Sequence, residues 1–138
     1  MSQTITINGR PIAKQRPRFA RIGKGVHTYS AQAAEEGRWI LEAQQQVKKP
    51  LAGPLTLSLV FAMPRPKHHY GTGKNLGKLK DSAPLWHTGK PDLDNLAKFV
   101  KDCLNGVAWQ DDSQVCRLVA QKVYSDKPQT VVCIEPVA

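Results

Sequence analysis

Residues 90–115 read KPDLDNLAKFVKDCLNGVAWQDDSQV, and the rest of the chain is read outward from them. Leu96, Phe99, Val100, Cys103 and Leu104 recur at helical spacing and predict a helix from about Asp92 or Asp94 to Asn105, with one buried face. Asn105-Gly106 predicts a left-handed cap that closes it. Residues 108–112 should turn, and a strand is expected over 115–124. The same stretch holds Asp92, Asp94, Asp102, Asp111 and Asp112, five of the eleven acidic residues of the chain. No acid precedes Glu35, and none lies between Glu42 and Asp81. Crowded carboxylates repel one another. A basic chain that gathers them here calls for a compensating cation, and a hard divalent metal is the natural one.

The spacing of the aspartates sharpens this. Asp92 and Asp94 point to the same side if the backbone is extended, whereas in a helix they would diverge by about 200°. Pro91 disfavours helix at Lys90, so both carboxylates are expected at a strand-like approach to the helix. A single Asp there would be read as an N-cap; two make capping an incomplete account. Asp111 and Asp112 follow the helix in a turn, and Asp112 is expected to return beside the start of the helix as a third carboxylate. Three oxygen ligands without Cys or His suit Mg²⁺, with Mn²⁺ as a substitute, rather than zinc. Lys98 lies one turn beyond Asp94, and Lys101 is close to it on the polar side. Spacing alone makes Lys98 the partner of a surface ion pair.

Upstream, residues 55–63 alternate Leu55, Leu57, Leu59, Phe61 and Met63 with small or apolar residues, the pattern of a central strand covered on both faces. Ser30 is an expected N-cap for a helix over 31–49, with an apolar stripe of Ala33, Gly37, Ile40, Leu41 and Val47, and with Lys48 and Lys49 at its end. Strands are expected over 4–8 and 130–136, the last forming an antiparallel hairpin with 115–124. Residues 10–25 read as a basic loop carrying Arg10, Lys14, Arg16, Arg18, Arg21 and Lys24, within which Phe19 is expected to pack rather than stack on a base. Residues 64–89 form a second long basic loop, read as a flap ordered by a polyanion or as a floppy insertion. Its His68-His69 pair is expected to be solvated rather than to bind metal. The expected fold is a single α+β domain over 1–138, a mixed sheet in the order β-α-β-α-β-β with helices packed on it.

The chain has 138 residues and a formal net charge of +9, which favours a polyanionic partner. Phosphate contacts are expected from the six cations of the first loop, from Lys67 and Lys74 in the second, and from Lys90 and Lys101 beside the aspartates. Cys103, Cys116 and Cys133 show no zinc spacing and are expected to be buried thiols in a reducing compartment. No apolar run of membrane length occurs and MSQTITINGR lacks a signal region, so a cytoplasmic protein is expected.

KPDLDNLAKFVKDCLNG followed by W-x-D-D-x-Q-V resembles the RusA family of Holliday junction resolvases, including its prophage members. The resemblance implies that Asp92, Asp94 and Asp112 are metal-binding catalytic aspartates and that Lys98 is a catalytic lysine. It further implies a Mg²⁺-dependent homodimer that places paired symmetric nicks in a four-way DNA junction during recombination and repair. The likeness in element order extends over the whole chain; the two basic loops depart from the shortest members. A PD-(D/E)xK nuclease is the neighbouring alternative, but no Asp-x-Lys or Glu-x-Lys occurs in the chain. A non-catalytic basic DNA- or RNA-binding protein is the other, and metal dependence of cleavage separates it.

Overall fold

The computed structural model describes residues 2–15, 18–23, 25–29 and 32–137, with only the backbone described for 18–22 and 26–29. In chain order the elements are β1 (Gln3–Asn8), β2 (Arg18–Ile22), β3 (Gly25–Tyr29), α1 (Ala33–Gln46), β4 (Leu55–Pro64), α2 (Leu93–Leu104), β5 (Val115–Ser125) and β6 (Gln129–Pro136). β1, β6, β4 and β5 form one mixed sheet in that lateral order, and β2 pairs with β3 in a separate hairpin.

The most apolar strand is an interior one. β4 pairs parallel with β5 on one side and antiparallel with β6 on the other. Parallel neighbours need a crossover, and here it runs through residues 65–92 and α2. Leu55, Leu57, Leu59, Phe61 and Met63 are buried on one face, continuous with Ile5, Ile7, Val132 and Ile134 of the neighbouring strands. Both helices close over this face. From α2 come Leu96, Phe99, Val100, Cys103 and Leu104, the whole predicted stripe, and Phe99 meets Trp39 of α1 edge to face with centroids 5.2 Å apart. Burying side chains of this size stabilises the fold by about 1.5–3 kcal/mol each.

Several expectations change. β5 and β6 do not form a hairpin, because β4 lies between them. Residues 126–128 step across its end; three residues reach about 10 Å, enough to pass over one strand at a spacing of about 4.8 Å. β4 is not covered on both faces either: Thr56, Ser58 and Val60 are half-buried. The basic stretch 10–25 is not one loop, since 18–22 is strand β2, joined through Gly23 at φ +58° to β3.

In α1 the buried residues are Trp39 and Ala43, followed by Val47 just beyond the helix, while Leu41 is 58% exposed. The true stripe is therefore rotated from the expected one, because Trp39 docks on Phe99 and sets the register. The helix ends at Gln46, where Val47 turns extended at φ −123°, ψ 122°, and Lys48 and Lys49 lie past it. Ser30 and the side chains of Phe19, Arg16, Arg18, Arg21 and Lys24 fall outside the described residues. Only Cys103 is a buried thiol, and burial pushes it up to about 12; Cys116 is exposed and Cys133 half-buried. Among the described residues no helix is long and apolar enough to cross a membrane.

Residues 64–89 carry short 3₁₀ turns at Lys67–His69 and Gly73–Asn75 and internal bridges between Tyr70 and Leu79 and between Gly71 and Leu76. Their far end runs antiparallel to β5: Trp86 bridges Val123, the Tyr124 amide donates to Leu85 O at 2.8 Å, and the His87 amide donates to Lys122 O at 3.1 Å. Of the two histidines expected to be solvated only His68 is exposed: His69 is buried against Tyr124 at 4.6 Å, and His87 contacts the same ring at 4.8 Å. The segment is thus a flap with hydrogen bonds of its own, laid along the strand that leads out of the acidic stretch.

Candidate active site

The two ends of α2 present the carboxylates. At its start Asp92 occupies the N-cap position with extended backbone, φ −69° and ψ 146°, yet its side chain makes no capping hydrogen bond. The capping explanation for Asp92 therefore fails, and its carboxylate is left exposed beside the helix N-terminus, where negative charge is favoured. Asp94 lies in the first helical turn and is also exposed.

At the other end the C-cap Asn105 is extended at φ −61° and ψ 124°, and Gly106, at φ +82°, turns the chain beyond it, its amide donating forward to Trp109 O at 2.7 Å; the expected left-handed cap on the helix is a turn just past it. Residues 112–114 form a 3₁₀ turn. Its two aspartates do different things. Asp111 caps the turn: the Ser113 amide donates to Asp111 Oδ2 at 3.0 Å, and the Ser113 hydroxyl donates to the same oxygen. These bonds hold the Asp111 carboxyl below its usual range. Gln114 completes a capping box and donates from Nε2 to Leu51 O at 3.0 Å and Gly53 O at 2.9 Å, fastening the turn to the approach to β4. Asp112 is oriented from below, where the fully buried Trp109 donates its indole N–H to Asp112 Oδ1 at 2.8 Å.

These elements surround a cavity of about 440 Å³ lined by Asp94, Ala97, Lys98, Lys101, Asp102, Asp112 and Leu118. Asp94, Lys98 and Asp112 come together there, and Asp111 does not. Asp92 stands two residues ahead of Asp94, outside the lining. No three Asp, Glu, His or Cys side chains among the described residues stand close enough to make a finished metal cage. Mg²⁺ does not require one: it usually takes one or two carboxylates and completes its octahedron with water and substrate phosphates. The donor chemistry of Asp94 and Asp112 fits that ion.

The cations divide. Lys101 lines the cavity, and Arg10, Lys67, Lys74 and Lys90 are exposed. Arg10 borders a second cavity with Arg38, Glu35 and Pro91, next to the start of α2. Lys14 is committed within the protein, with its ammonium 3.1 Å from Asp102 and 3.4 Å from Glu36. Burial pulls its pKa down, but the attraction of Asp102 and then Glu36 outweighs this and leaves it raised. Its amide donates to Asn95 O at 3.0 Å, and the buried Gln32 accepts from the Gln15 amide at 2.9 Å and donates to Ala13 O at 2.7 Å. Residues 13–15 are thereby pinned against both helices.

Trp109 and Gln114 enter the sequence reading only as letters of W-x-D-D-x-Q-V, without a role, and Lys122 does not enter it. The first two had a legible signal, since Trp109 stands three residues before Asp112 and Gln114 three after Asp111, both at turn spacing. Lys122 had none, because its partners are some thirty residues away in the chain.

The start of α2 brings Asp94 and, one turn on, Lys98 to a cavity to which the stapled turn returns Asp112, in a strongly basic chain. A family model described as Endodeoxyribonuclease RusA matches residues 8–135, nearly the whole chain. The chain belongs to the RusA endodeoxyribonuclease family. It is also similar to a Bacillus subtilis (strain 168) protein called "Uncharacterized protein YqaN", 32% identical over 137 residues that cover 97% of this chain and 96% of that one.

Proposed function

We propose that this chain is a Mg²⁺-dependent, structure-specific endodeoxyribonuclease that resolves Holliday junctions by paired symmetric nicks and works as a homodimer. The observation that carries the reading is the convergence of Asp94, Lys98 and Asp112 on one cavity, with Asp111 diverted to capping, in a chain of the RusA family. Asp94 and Asp112 would hold the ion, with Asp92 as a further exposed carboxylate at the start of α2, and the ion would supply an activated water and a polarised phosphate. Trp109 keeps one oxygen of Asp112 in a hydrogen bond and so fixes the direction of the other. Lys98 places an ammonium toward the scissile phosphate, where developing negative charge is stabilised. Lys101 and the exposed Arg10, Lys67, Lys74 and Lys90 hold flanking phosphates of branched DNA.

Two symmetric nicks need two such centres, and a two-fold dimer supplies them. Both basic faces then add phosphate contacts, and affinity falls by about 0.9 log units per log unit of salt for each phosphate neutralised. A labelled synthetic four-way junction, incubated with Mg²⁺ and separately with EDTA, tests the reading. Binding in both and nicking only with Mg²⁺ supports it; binding without nicking in Mg²⁺ or Mn²⁺ makes the chain a junction binder. Mixing wild-type and Asp94→Asn chains should give heterodimers that nick one strand. A monomer in sedimentation at micromolar concentration, free and on the junction, would remove the paired-nick model.

A further inference from the structure

We infer that Lys122 is a positioning residue for the catalytic aspartates, acting through the backbone just ahead of Asp92. Lys122 lies in the middle of β5, opposite Phe61 of β4 in the parallel register, on the face the helices cover. Its half-buried ammonium donates to Gly89 O at 2.6 Å and Pro91 O at 2.7 Å. Those two carbonyls bracket Lys90, and the next residue is Asp92. The Asp92 side chain makes no cap hydrogen bond, so it does not anchor the turn that bears it.

The backbone of the same residue holds the flap. Lys122 O accepts from the His87 amide, and the next two positions of β5 bridge Trp86 and bond Leu85. Lys122 therefore joins the end of the flap to the start of the acid-bearing turn, its main chain serving one and its side chain the other. Charge-assisted hydrogen bonds to carbonyls are roughly twice as strong as neutral ones, which suits a cation on an exposed turn. A lysine reaching for DNA would leave its ammonium free in solvent. This one is turned inward onto two acceptors.

The inference rests on the nuclease reading for its consequence and on the two hydrogen bonds for its cause, and the test keeps them apart. Wild type, Lys122→Met and Lys122→Arg are compared by junction cleavage, junction binding, Mn²⁺ calorimetry on the DNA-free protein, and amide exchange at residues 92–94. Loss of a ligand-orienting partner typically costs about 10–100-fold in metal affinity or activity, and Lys122→Met should fall in that range in both kcat and Mn²⁺ affinity. Junction binding should change little, amide exchange at 92–94 should quicken, and Lys122→Arg should recover most of the loss because it keeps donors for both carbonyls. A Met variant with wild-type Mn²⁺ affinity and wild-type cleavage overturns the inference. So does one that loses junction binding in step with cleavage while Mn²⁺ affinity holds, since Lys122 is then a phosphate contact. If the wild type cleaves no junction in any divalent metal, the nuclease reading fails, and Mn²⁺ affinity and amide exchange alone decide Lys122. Should the Met variant not fold, Lys122→Gln, which keeps a donor without the charge, carries the same comparison.

Discussion

The two ends of α2 each carry an aspartate pair, and they are held in place by opposite means. The turn after the helix is stapled by its own neighbours: Asp111 caps it, Gln114 closes the box, and Trp109 three residues earlier fixes Asp112. The turn before the helix has no such internal support. Asp92 caps nothing, and the chain ahead of it is tied by Lys122 from β5, which in turn carries the flap. The turn after α2 thus has a cap of its own in addition to the tie of Gln114 to Leu51 and Gly53, whereas Asp92 supplies no side-chain cap to the turn before α2. Asp112 is held by its own turn, and the chain ahead of Asp92 by Lys122 of β5.

The largest effects should come from changes that ignore this asymmetry. Asp92→Asn, Asp94→Asn and Asp112→Asn should each reduce junction cleavage to background while binding survives or tightens, because a negative charge near DNA is lost and no phosphate contact is. Asp111→Ala should instead lower the melting temperature and leave cleavage of the folded protein intact, since Asp111 serves the turn. If Asp111→Ala abolishes cleavage and Asp112→Asn does not, the division of labour within that pair is reversed.

Lys98 and Lys101 sharpen the comparison on the helix itself. Both line the cavity, together with Asp94, Asp102 and Asp112. Lys98→Ala should lower kcat by about 10²–10³-fold, the usual cost of removing one group that stabilises developing charge. Lys101→Ala should act mainly on junction affinity and on its salt slope. Equal and mild losses in kcat for both would return Lys98 to a surface role.

Trp109→Phe tests the local staple. It removes the N–H that Asp112 accepts and keeps most of the buried ring, so cleavage should fall by about tenfold, the lower end of the effect of losing an orienting partner. The core loss should be no more than about 1–3 kcal/mol, readable by denaturant titration. A variant as active as wild type would mean that Asp112 is placed by its backbone alone.

The same asymmetry explains what could be read from the chain. The α2 stripe depends on contacts within one or two turns, and its spacing is visible; the catalytic part given to Asp112 rather than Asp111 came with the family resemblance, and the capping by Asp111 was not foreseen. The centrality of β4 was visible too, because alternating large apolar residues leave few other places for a strand. The lateral order was not: nothing in residues 126–128 distinguishes a hairpin from a step over β4. The α1 stripe was misread because Ile40 and Leu41 attract attention by hydropathy, while the register is set by Trp39 meeting Phe99 sixty residues away. Lys14 looked like a phosphate contact until Asp102 and Glu36 arrived from two different helices to meet it. Lys122 is the extreme case, an unremarkable lysine in a strand whose partners are main-chain oxygens of another segment.

The smallest effect separates the two ends by acid alone. Burial first, and then the charges of His68, Arg65 and Lys80, hold the His69 imidazole below its usual range; burial, Lys122 and Arg10 do the same for His87. Each base thus binds its proton less readily folded than unfolded, so the unfolded chain takes up more protons as the pH drops. The stabilising contribution is full above the unfolded value of 6.5 and is lost progressively as the pH falls toward the lower folded values. Asp111 works in another window: held low by the Ser113 hydroxyl and amide, it contributes fully above 3.8 and loses its share only as pH falls through the still lower folded value. Between about pH 7 and about pH 5 the flap should therefore loosen while the turn after α2 does not. Amide exchange, corrected for its intrinsic pH dependence, should quicken over residues 66–89 and stay constant over 111–114. His69→Phe should flatten most of the flap response. If both regions quicken together, the flap and the turn form one cooperative unit, and the two ends of α2 are not held independently.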